Sequence, residues 1–241
     1  MPSILSTLKR ATLLELLPAA ALTHIESETE ERSYRRRQII YFAEQKNDYV
    51  FLLGVGRVKL LKTGSSGREV TLDIVSPGEI FGEANLFVNS SAYGSSAEVL
   101  EDSIVYAIRR DSLYAAMVNN MDALKAFLAL EVQRRHAAEQ RLAEFVFYDV
   151  PTRLAHLLGR LASFYAEEGK NSAVLIRAKL THQELANLVG STRETTTLIL
   201  NDFKRKRLIE FQGRKIVALD IEGLLTFESD RAQRNLTIEE A

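Results

Sequence analysis

The sequence contains no cysteine, which excludes disulfide bonds and metal sites built on thiolates. Its formal net charge at pH 7 is only −1, so the whole chain generates no positive field that would attract nucleic acid. No apolar run approaches the ~20 residues that a membrane-spanning helix needs. The segment after Lys9 and Arg10 superficially resembles a signal peptide, but Glu15 and Pro18 interrupt it and favour an amphipathic helix. We therefore expect a cytoplasmic protein with no membrane partner.

The composition is that of an ordinary globular protein, with 46% hydrophobic and 26% charged residues. A length of 241 residues allows two domains with separate cores. Charge is unevenly distributed along the chain. Residues 181–215 contain seven Lys or Arg against four Asp or Glu, whereas residues 220–241 contain six acids and two bases. A local basic segment in a neutral chain indicates one surface for an anionic partner.

The segment 181–203 predicts a helix, a short turn and a second helix. Thr181 and Glu184 have the spacing of a capping box, and an apolar stripe at helical spacing follows them. Gly190 then supplies the residue without a Cβ that a tight turn favours. The cap of the second helix is either Ser191, which would use Glu194 in another capping box, or Thr192, which would leave Glu194 free; we favour Thr192.

The second helix has two separable faces. A buried stripe is expected at positions spaced i, i+3, i+4 and i+7, namely Thr196, Ile199, Leu200 and Phe203. The opposite face begins with Arg193, which can donate two bonds to guanine, and Glu194, which can accept from cytosine. The expected base-reading residues are Arg193, Glu194, Thr197 and Leu198. The alternative is an ordinary helical hairpin with a solvated face.

The segment after the second helix favours the nucleic-acid interpretation. A basic run at 204–207 precedes two short strands, 208–211 and 215–219, on either side of a glycine turn. This order predicts a winged helix-turn-helix. The sequence TxQELAxLVGSTRET, a basic link and LIEFQGRKIV resembles the C-terminal domain of the cyclic-AMP receptor protein and fumarate-nitrate regulator (CRP/FNR) superfamily of bacterial transcription factors.

The segment upstream agrees with that resemblance. Short β-branched or aromatic runs punctuated by Gly, Pro, Asn and Ser begin near Tyr34 and predict a small β-roll or jelly roll. The expected fold is therefore α+β: an N-terminal β-roll similar to cyclic-nucleotide-binding domains, a long dimerisation helix and a C-terminal winged helix-turn-helix. The expected bounds are 1–118 for the effector domain, 119–148 for the helix, 149–220 for the DNA-binding domain and 221–241 for a tail.

The segment 81–97 resembles the phosphate-binding cassette of the superfamily. The resemblance implies a Gly-Glu pair near the ribose, here Gly82 and Glu83, and an Arg and a hydroxyl residue at the cyclic phosphate. Tyr93 and Gly94 stand at those two positions, and Ala138 replaces a helix hydroxyl. A buried phosphate without a cation is costly, so the sequence argues against cyclic AMP as the effector.

The use of this pocket stays open at the level of the sequence. It takes another small molecule, or it is filled by its own side chains with Tyr93 as a plug. Gly82 and Glu83 also have a simpler interpretation as a turn glycine and a helix cap. If the pocket exists, the residues expected around it are Gly82, Glu83, Tyr93, Gly94, Arg135 and Ala138.

A period of 3.5 residues between Asn119 and Phe147 predicts a two-helix coiled coil and therefore a homodimer. Glu131 and Arg135 are polar positions in this seam, and they pair with each other or across the dimer. A helix packed only on its own β-roll is the alternative, to which Phe127 and Val132 point. The expected seam residues are Leu124, Leu128, Glu131, Arg135, Leu142 and Phe145, together with Ala138.

The resemblance implies double-stranded DNA as the partner, with the two second helices in successive major grooves. Backbone phosphate contacts are expected from Gln183, Thr192, Thr195, Gly213 and Arg214. The resemblance also implies RNA polymerase as a partner, since the tip at 63–67 and the loop at 167–173 occupy places where relatives touch it. The missing cysteines exclude the cluster-based oxygen sensing found in part of the superfamily.

Two functions of other classes compete with this interpretation. A ligand-binding or dimerising module could use its winged helix to contact protein, in which case DNA affinity would be absent. An enzyme is the second alternative, but the four histidines have no metal-ligand or triad spacing, and no P-loop or dinucleotide fingerprint occurs. We therefore expect no catalysis, no metal and no cofactor.

Overall fold

The computed structural model describes residues 12–88, 92–165, 173–176, 180–213 and 215–229. The chain divides into two compact units, with the boundary after Ala138. No helix in these described ranges is both long enough and apolar enough to cross a membrane.

The N-terminal unit has an antiparallel β-sheet flanked by helices. Two helices precede the sheet, α1 (Thr12–Glu15) and α2 (Ala19–Ser27). The strands are β1 (Glu30–Tyr34), β2 (Ile39–Tyr41), β3 (Tyr49–Thr63), β4 (Glu69–Val75), β5 (Ile80–Phe81) and β6 (Ser96–Arg109). Helices α3 (Arg110–Val118) and α4 (Met121–Phe147) follow, and α4 continues through the unit boundary.

The two long strands organise this sheet. β6 pairs with β1, β2 and β3, and β3 also pairs with β4 and β5, all antiparallel. The β3–β6 ladder changes register several times between Leu53 and Val58, which bends two strands that would otherwise extend far beyond the usual length. The β-roll expected from the sequence is confirmed.

Two apolar clusters fill the N-terminal unit. One joins the helices to the sheet and includes Leu14, Ile25, Met117 and Phe127. The other lies within the roll and is rich in aromatic side chains. Phe127 of α4 is only 5% exposed, so the start of the long helix is anchored on its own β-roll.

The C-terminal unit has its own core. It contains the end of α4, then α5 (Val150–Tyr165), β7 (Val174–Ile176), α6 (His182–Val189), α7 (Arg193–Arg205), β8 (Ile209–Gln212), β9 (Lys215–Ala218) and α8 (Ile221–Leu225). The strands form a sheet in the order β7-β9-β8, with β8 and β9 as an antiparallel hairpin. The winged helix-turn-helix is confirmed. Strand β7 was not predicted, although its Val-Leu-Ile run after a polar loop was the available signal.

The end of the described chain packs on this core. Leu224 is fully buried, and the ring of Phe227 lies 5.1 Å from that of Phe203. The hydroxyl of Ser229 also donates a hydrogen bond to Asp149. Residues 221–229 therefore pack with the C-terminal unit, beyond the bound of 220 expected for its domain.

Candidate nucleic-acid interface and effector pocket

Local hydrogen bonds define the two helices of the motif. The Thr181 hydroxyl accepts from the Glu184 amide at 3.2 Å, and the Glu184 carboxylate accepts from the Thr181 amide, so the predicted capping box is present. Gly190 ends α6 with a left-handed φ of 64°. The Thr192 hydroxyl accepts from the Thr195 amide at 3.2 Å, which confirms Thr192 as the cap of α7.

The buried face of α7 is the one expected from the sequence. Thr196, Leu200 and Phe203 are completely buried, and Ile199 packs against the same cluster. This cluster joins α7 to α5, α6 and the sheet, so the helix is held along its whole length. Burial of one stripe fixes which residues face outward.

The outward face begins with two opposite charges. Arg193 and Glu194 are both exposed, and neither side chain has a hydrogen bond or ion pair with another described residue. Leu198 follows on the same face and is 70% exposed. A face of this kind can offer donors, an acceptor and an apolar surface to base edges.

Thr197 lies on this face but is half-buried. Its hydroxyl donates to the Arg193 carbonyl at 2.8 Å, and His182 Nδ1 lies 2.8 Å from the Thr197 hydroxyl oxygen. Burial, reinforced by the positive charge of Arg193, lowers the pKa of His182, so this imidazole is neutral at pH 7.

The proposed phosphate contacts lie around these helices. Gln183 and Thr195 are exposed, but the Gln183 amide donates to a side chain one turn further along α6, and Thr195 accepts from the Thr192 hydroxyl at 2.9 Å. Gly213 is exposed at the tip of the β8–β9 hairpin, where no atom of a described residue, its chain neighbours aside, would come within 4 Å of an added Cβ. Arg214 lies outside the described residues.

The basic run continues the positive surface at the end of α7. All four side chains from Lys204 to Arg207 are exposed. Asp202 forms ion pairs with Arg205 at 3.0 Å and Lys206 at 3.2 Å. Exposed pairs of this kind stabilise weakly, so the run can be redirected to phosphates at little cost.

The predicted effector pocket contains a stack of aromatic side chains. Tyr93 is 7% exposed, and its ring lies parallel to Tyr41 with centroids 3.8 Å apart. Its hydroxyl donates to the Tyr49 carbonyl at 3.0 Å, and burial raises the pKa of Tyr93 to about 12. A Cβ on Gly82 would lie 3.1 Å from the Tyr93 ring. Tyr93 therefore occupies the interior beside the Gly82 backbone.

Glu83 has a cationic partner that the sequence did not predict. It is 3% exposed, and its carboxylate forms an ion pair with Arg134 of α4. Arg134 also donates to the Ile80 carbonyl at 2.6 Å, and burial lowers its pKa. The available signal was position: Arg134 lies seven residues after Phe127 and therefore on the same, inward face of the helix. Glu83 is thus neither a simple helix cap nor an unpaired acid.

The other residues expected at this pocket are more peripheral. Gly94 is exposed, and so are Arg135 and Ala138 on α4. Within one chain it is Arg134, not Arg135, that lies beside Glu83. The structure therefore joins Gly82, Glu83 and Tyr93, and leaves the other three on the surface.

The predicted seam of α4 is largely exposed within one chain. Leu128 is 55% and Leu142 is 65% exposed, whereas Leu124 is half-buried. Glu131 is half-buried, its Oε1 has no hydrogen-bond partner among the described residues, and burial raises its pKa.

Phe145, the last predicted seam residue, has contacts within its own unit. Its ring lies 4.7 Å from the Arg153 guanidinium. It also lies against Gly190, at the turn between α6 and α7. Phe145 therefore supports the helix-turn-helix in addition to any contact along the seam.

Comparisons with known proteins agree with both units. A family model described as a cyclic nucleotide-binding domain matches residues 31–120, and one described as a Crp-like helix-turn-helix domain matches residues 152–227. A CRP-like cAMP-activated global transcriptional regulator of Mycobacterium tuberculosis is 28% identical over 218 residues, 90% of this chain and 96% of that protein. A cyclic AMP receptor protein of Thermus thermophilus is 30% identical over 173 residues, 71% and 76% of the two chains.

A solved structure extends the likeness to three dimensions. A transcriptional regulator of the CRP/FNR family from Thermus thermophilus superposes with a TM-score of 0.64 and 28% identity, covering 81% of this chain and 96% of that one. The chain belongs to the CRP/FNR family of DNA-binding transcription regulators.

Proposed function

We propose that two copies of this chain bind one near-palindromic DNA site, each placing α7 in the major groove, with the grooves about 34 Å or one helical turn apart. The observation that carries this proposal is the outward face of α7, where the exposed side chains of Arg193 and Glu194 have no hydrogen bond or ion pair within the described part of the chain. Arg193 would read guanine and Glu194 cytosine. Leu198 would contact a thymine methyl group, and the exposed run 204–207 would add sequence-independent affinity for phosphates.

The exposed seam of α4 supports the homodimer. Leucines that remain more than half exposed at heptad positions, such as Leu128 and Leu142, would be buried by a second copy of the helix. The unpartnered Oε1 of Glu131 would find a donor there. A polar group of this kind in a seam fixes register at some cost in stability.

For regulation, we propose that the N-terminal unit does not respond to cyclic AMP. The stack of Tyr93 on Tyr41 supports self-filling over binding of another molecule, because the rings occupy the interior and the Tyr93 hydroxyl is hydrogen-bonded. Arg134, the cation beside this pocket, is already paired with Glu83 and is therefore committed before any cyclic phosphate arrives. Calorimetry with cyclic AMP should give no heat of binding at micromolar protein, and saturable micromolar binding would contradict this proposal.

The proposal also covers a protein partner, the cellular compartment and catalysis. RNA polymerase would contact the exposed β3–β4 tip at 63–67. The second expected contact, the loop at 167–173, lies almost wholly outside the described residues. The protein would work in the cytoplasm as a regulator that catalyses no reaction.

Selection of binding sites from random DNA, followed by a salt titration, tests the main proposal. We expect one enriched near-palindrome with half-sites one DNA turn apart. The logarithm of its binding constant should fall linearly with the logarithm of the salt concentration. Enrichment of no sequence, or of a single half-site bound by a monomer, would contradict the proposal.

A further inference from the structure

The side chain of Thr197 has little hydrogen-bonding capacity left for a base. A hydroxyl group has one hydrogen, and that of Thr197 goes to the Arg193 carbonyl at 2.8 Å. His182 Nδ1 lies 2.8 Å from the Thr197 hydroxyl oxygen, and since that hydroxyl has no second hydrogen, His182 is the donor of this bond. One donor and one acceptor position of the hydroxyl are thus used within the protein.

The group that Thr197 can still present outward is its methyl group. Thr197 lies between Arg193 and Asn201 on the exposed face of α7, and each of these two is one turn away and exposed. Leu198, the next residue, is 70% exposed, so most of its apolar side chain lies on the surface. Thr197 and Leu198 thus add a methyl and an isobutyl group to a helix surface whose first turn is charged.

Only thymine carries a methyl group among the base edges of the major groove, and apolar side chains recognise it. We infer that Thr197 and Leu198 form an apolar reader for the thymine methyl group, and that His182 is the positioning residue that holds Thr197 in the reading orientation. The inference rests on the proposed function of α7 as the DNA-reading helix. It makes Thr197 an apolar reader and not a hydrogen-bonding one.

His182 acts from a different helix, which is why its role is positional. It is the first residue of α6, and its ring also lies near Phe211 of the wing, with centroids 6.2 Å apart. The bond to Thr197 therefore ties α6 to the outward face of α7 without His182 itself being a base reader. Without that bond, only the bond to the Arg193 carbonyl holds the Thr197 rotamer, and the side chain exchanges its methyl and hydroxyl groups more readily.

Replacement of thymine by uracil in the selected operator tests the reader, because it removes only the methyl group. With the wild-type protein, uracil at one position of each half-site should lower affinity about fourfold per half-site, the factor expected for burial of one methyl-sized group. Uracil at other thymine positions is the matched control and should have no effect.

Protein variants then assign the reader to its residues. Thr197→Val keeps the methyl group and should keep the sensitivity to uracil, whereas Thr197→Ser and Leu198→Ala should each reduce it. His182→Ala should reduce the sensitivity in the wild-type protein. His182→Ala should not change the sensitivity to uracil in the Thr197→Val background, because both γ positions of valine carry methyl groups. A purely structural role of His182 would instead lower affinity equally for thymine and uracil operators.

The failure of this inference is distinct from failure of the proposed function. If the operator is bound specifically but uracil is accepted at every thymine position, the apolar reader is wrong and the DNA-binding function stands. If His182→Ala leaves the uracil sensitivity unchanged, the positioning role is wrong. If no operator is preferred over scrambled DNA, the proposed function itself fails.

Discussion

The guanidinium of Arg134 on α4 and the carboxylate of Glu83 after β5 form an ion pair in the interior of the N-terminal unit. Glu83 is 3% exposed, and among the described residues Arg134 is the cation paired with it. The pair links the loop expected to touch an effector to the helix expected to make the dimer. In this chain, therefore, Arg134 connects the loop of Glu83 to helix α4 without a bound ligand.

Loss of either partner of this pair should destabilise the protein strongly. Glu83→Ala or Arg134→Met should each cost about 3 kcal/mol of unfolding free energy, because a buried charge is left uncompensated. The double variant should recover most of that loss. Urea unfolding of the full chain, followed by circular dichroism, measures all three values. Lys125→Met is the control, since its ion pair with Asp122 is exposed and should contribute little; equal effects at both pairs would contradict the prediction.

Tyr93 should behave as a core residue and not as a flexible lid. Tyr93→Phe should cost about 1 kcal/mol, because it removes the hydrogen bond to the Tyr49 carbonyl. Tyr93→Ala should cost about 3 to 5 kcal/mol, because it leaves a cavity beside Tyr41. Tyr114→Phe is the matched control, since Tyr114 is 44% exposed. Unfolding curves showing no loss for Tyr93→Ala would mean that the ring does not fill the pocket.

The helix-turn-helix and the pocket of the β-roll differ in how much of their structure the sequence could predict. The helix-turn-helix was predictable because its signals are local: Thr181 and Glu184 are three residues apart, and Gly190 marks its own turn. The pair of Glu83 with Arg134 joins residues 51 positions apart, and no spacing rule connects them. Tyr93 stands where the phosphate-binding pattern has an Arg, so the sequence indicated that the pocket lacks this cation. Its ring stack on Tyr41 depended on the three-dimensional fold of the roll.

Arg193 should determine one base pair of the operator. Arg193→Ala should cost about 1 to 3 kcal/mol of binding free energy and relax the preference at that position. Lys204→Ala is the control: a phosphate contact should weaken binding to all sequences equally and reduce the salt slope by about one. Competition binding with operators changed one base pair at a time gives both results. A selectivity profile unchanged by Arg193→Ala would remove this residue from the readers.

The dimer should depend on the exposed leucines of α4. Leu142→Glu places a charge at a seam position that is 65% exposed in one chain, so it should leave the fold intact and convert the dimer to a monomer. Gln140→Glu adds the same group about 160° around the helix and should leave the dimer unchanged. Sedimentation equilibrium at micromolar concentration distinguishes the two. A Leu142→Glu protein that remains dimeric would show that the seam lies elsewhere.

Gly190 should be required for two separable reasons, its backbone conformation and the ring of Phe145. Its φ is 64°, which costs a residue with a Cβ about 1 to 2 kcal/mol. An added Cβ would also lie 2.5 Å from Phe145 Cε1, which real contacts do not allow. Gly190→Ala should therefore cost about 2 to 5 kcal/mol of unfolding free energy, the sum of the backbone strain and the overpacking.

Two variants separate these contributions. Gly213 has a nearly identical φ of 63° but no atom of a described residue, its chain neighbours aside, within 4 Å of an added Cβ, so Gly213→Ala should show the conformational cost alone. In a Phe145→Ala background the overlap disappears, and Gly190→Ala should fall to the value measured for Gly213→Ala. The difference is the coupling between the end of α4 and the turn of the helix-turn-helix, and a double-mutant cycle measures it. Additive effects of Phe145→Ala and Gly190→Ala would mean that the ring does not support this turn.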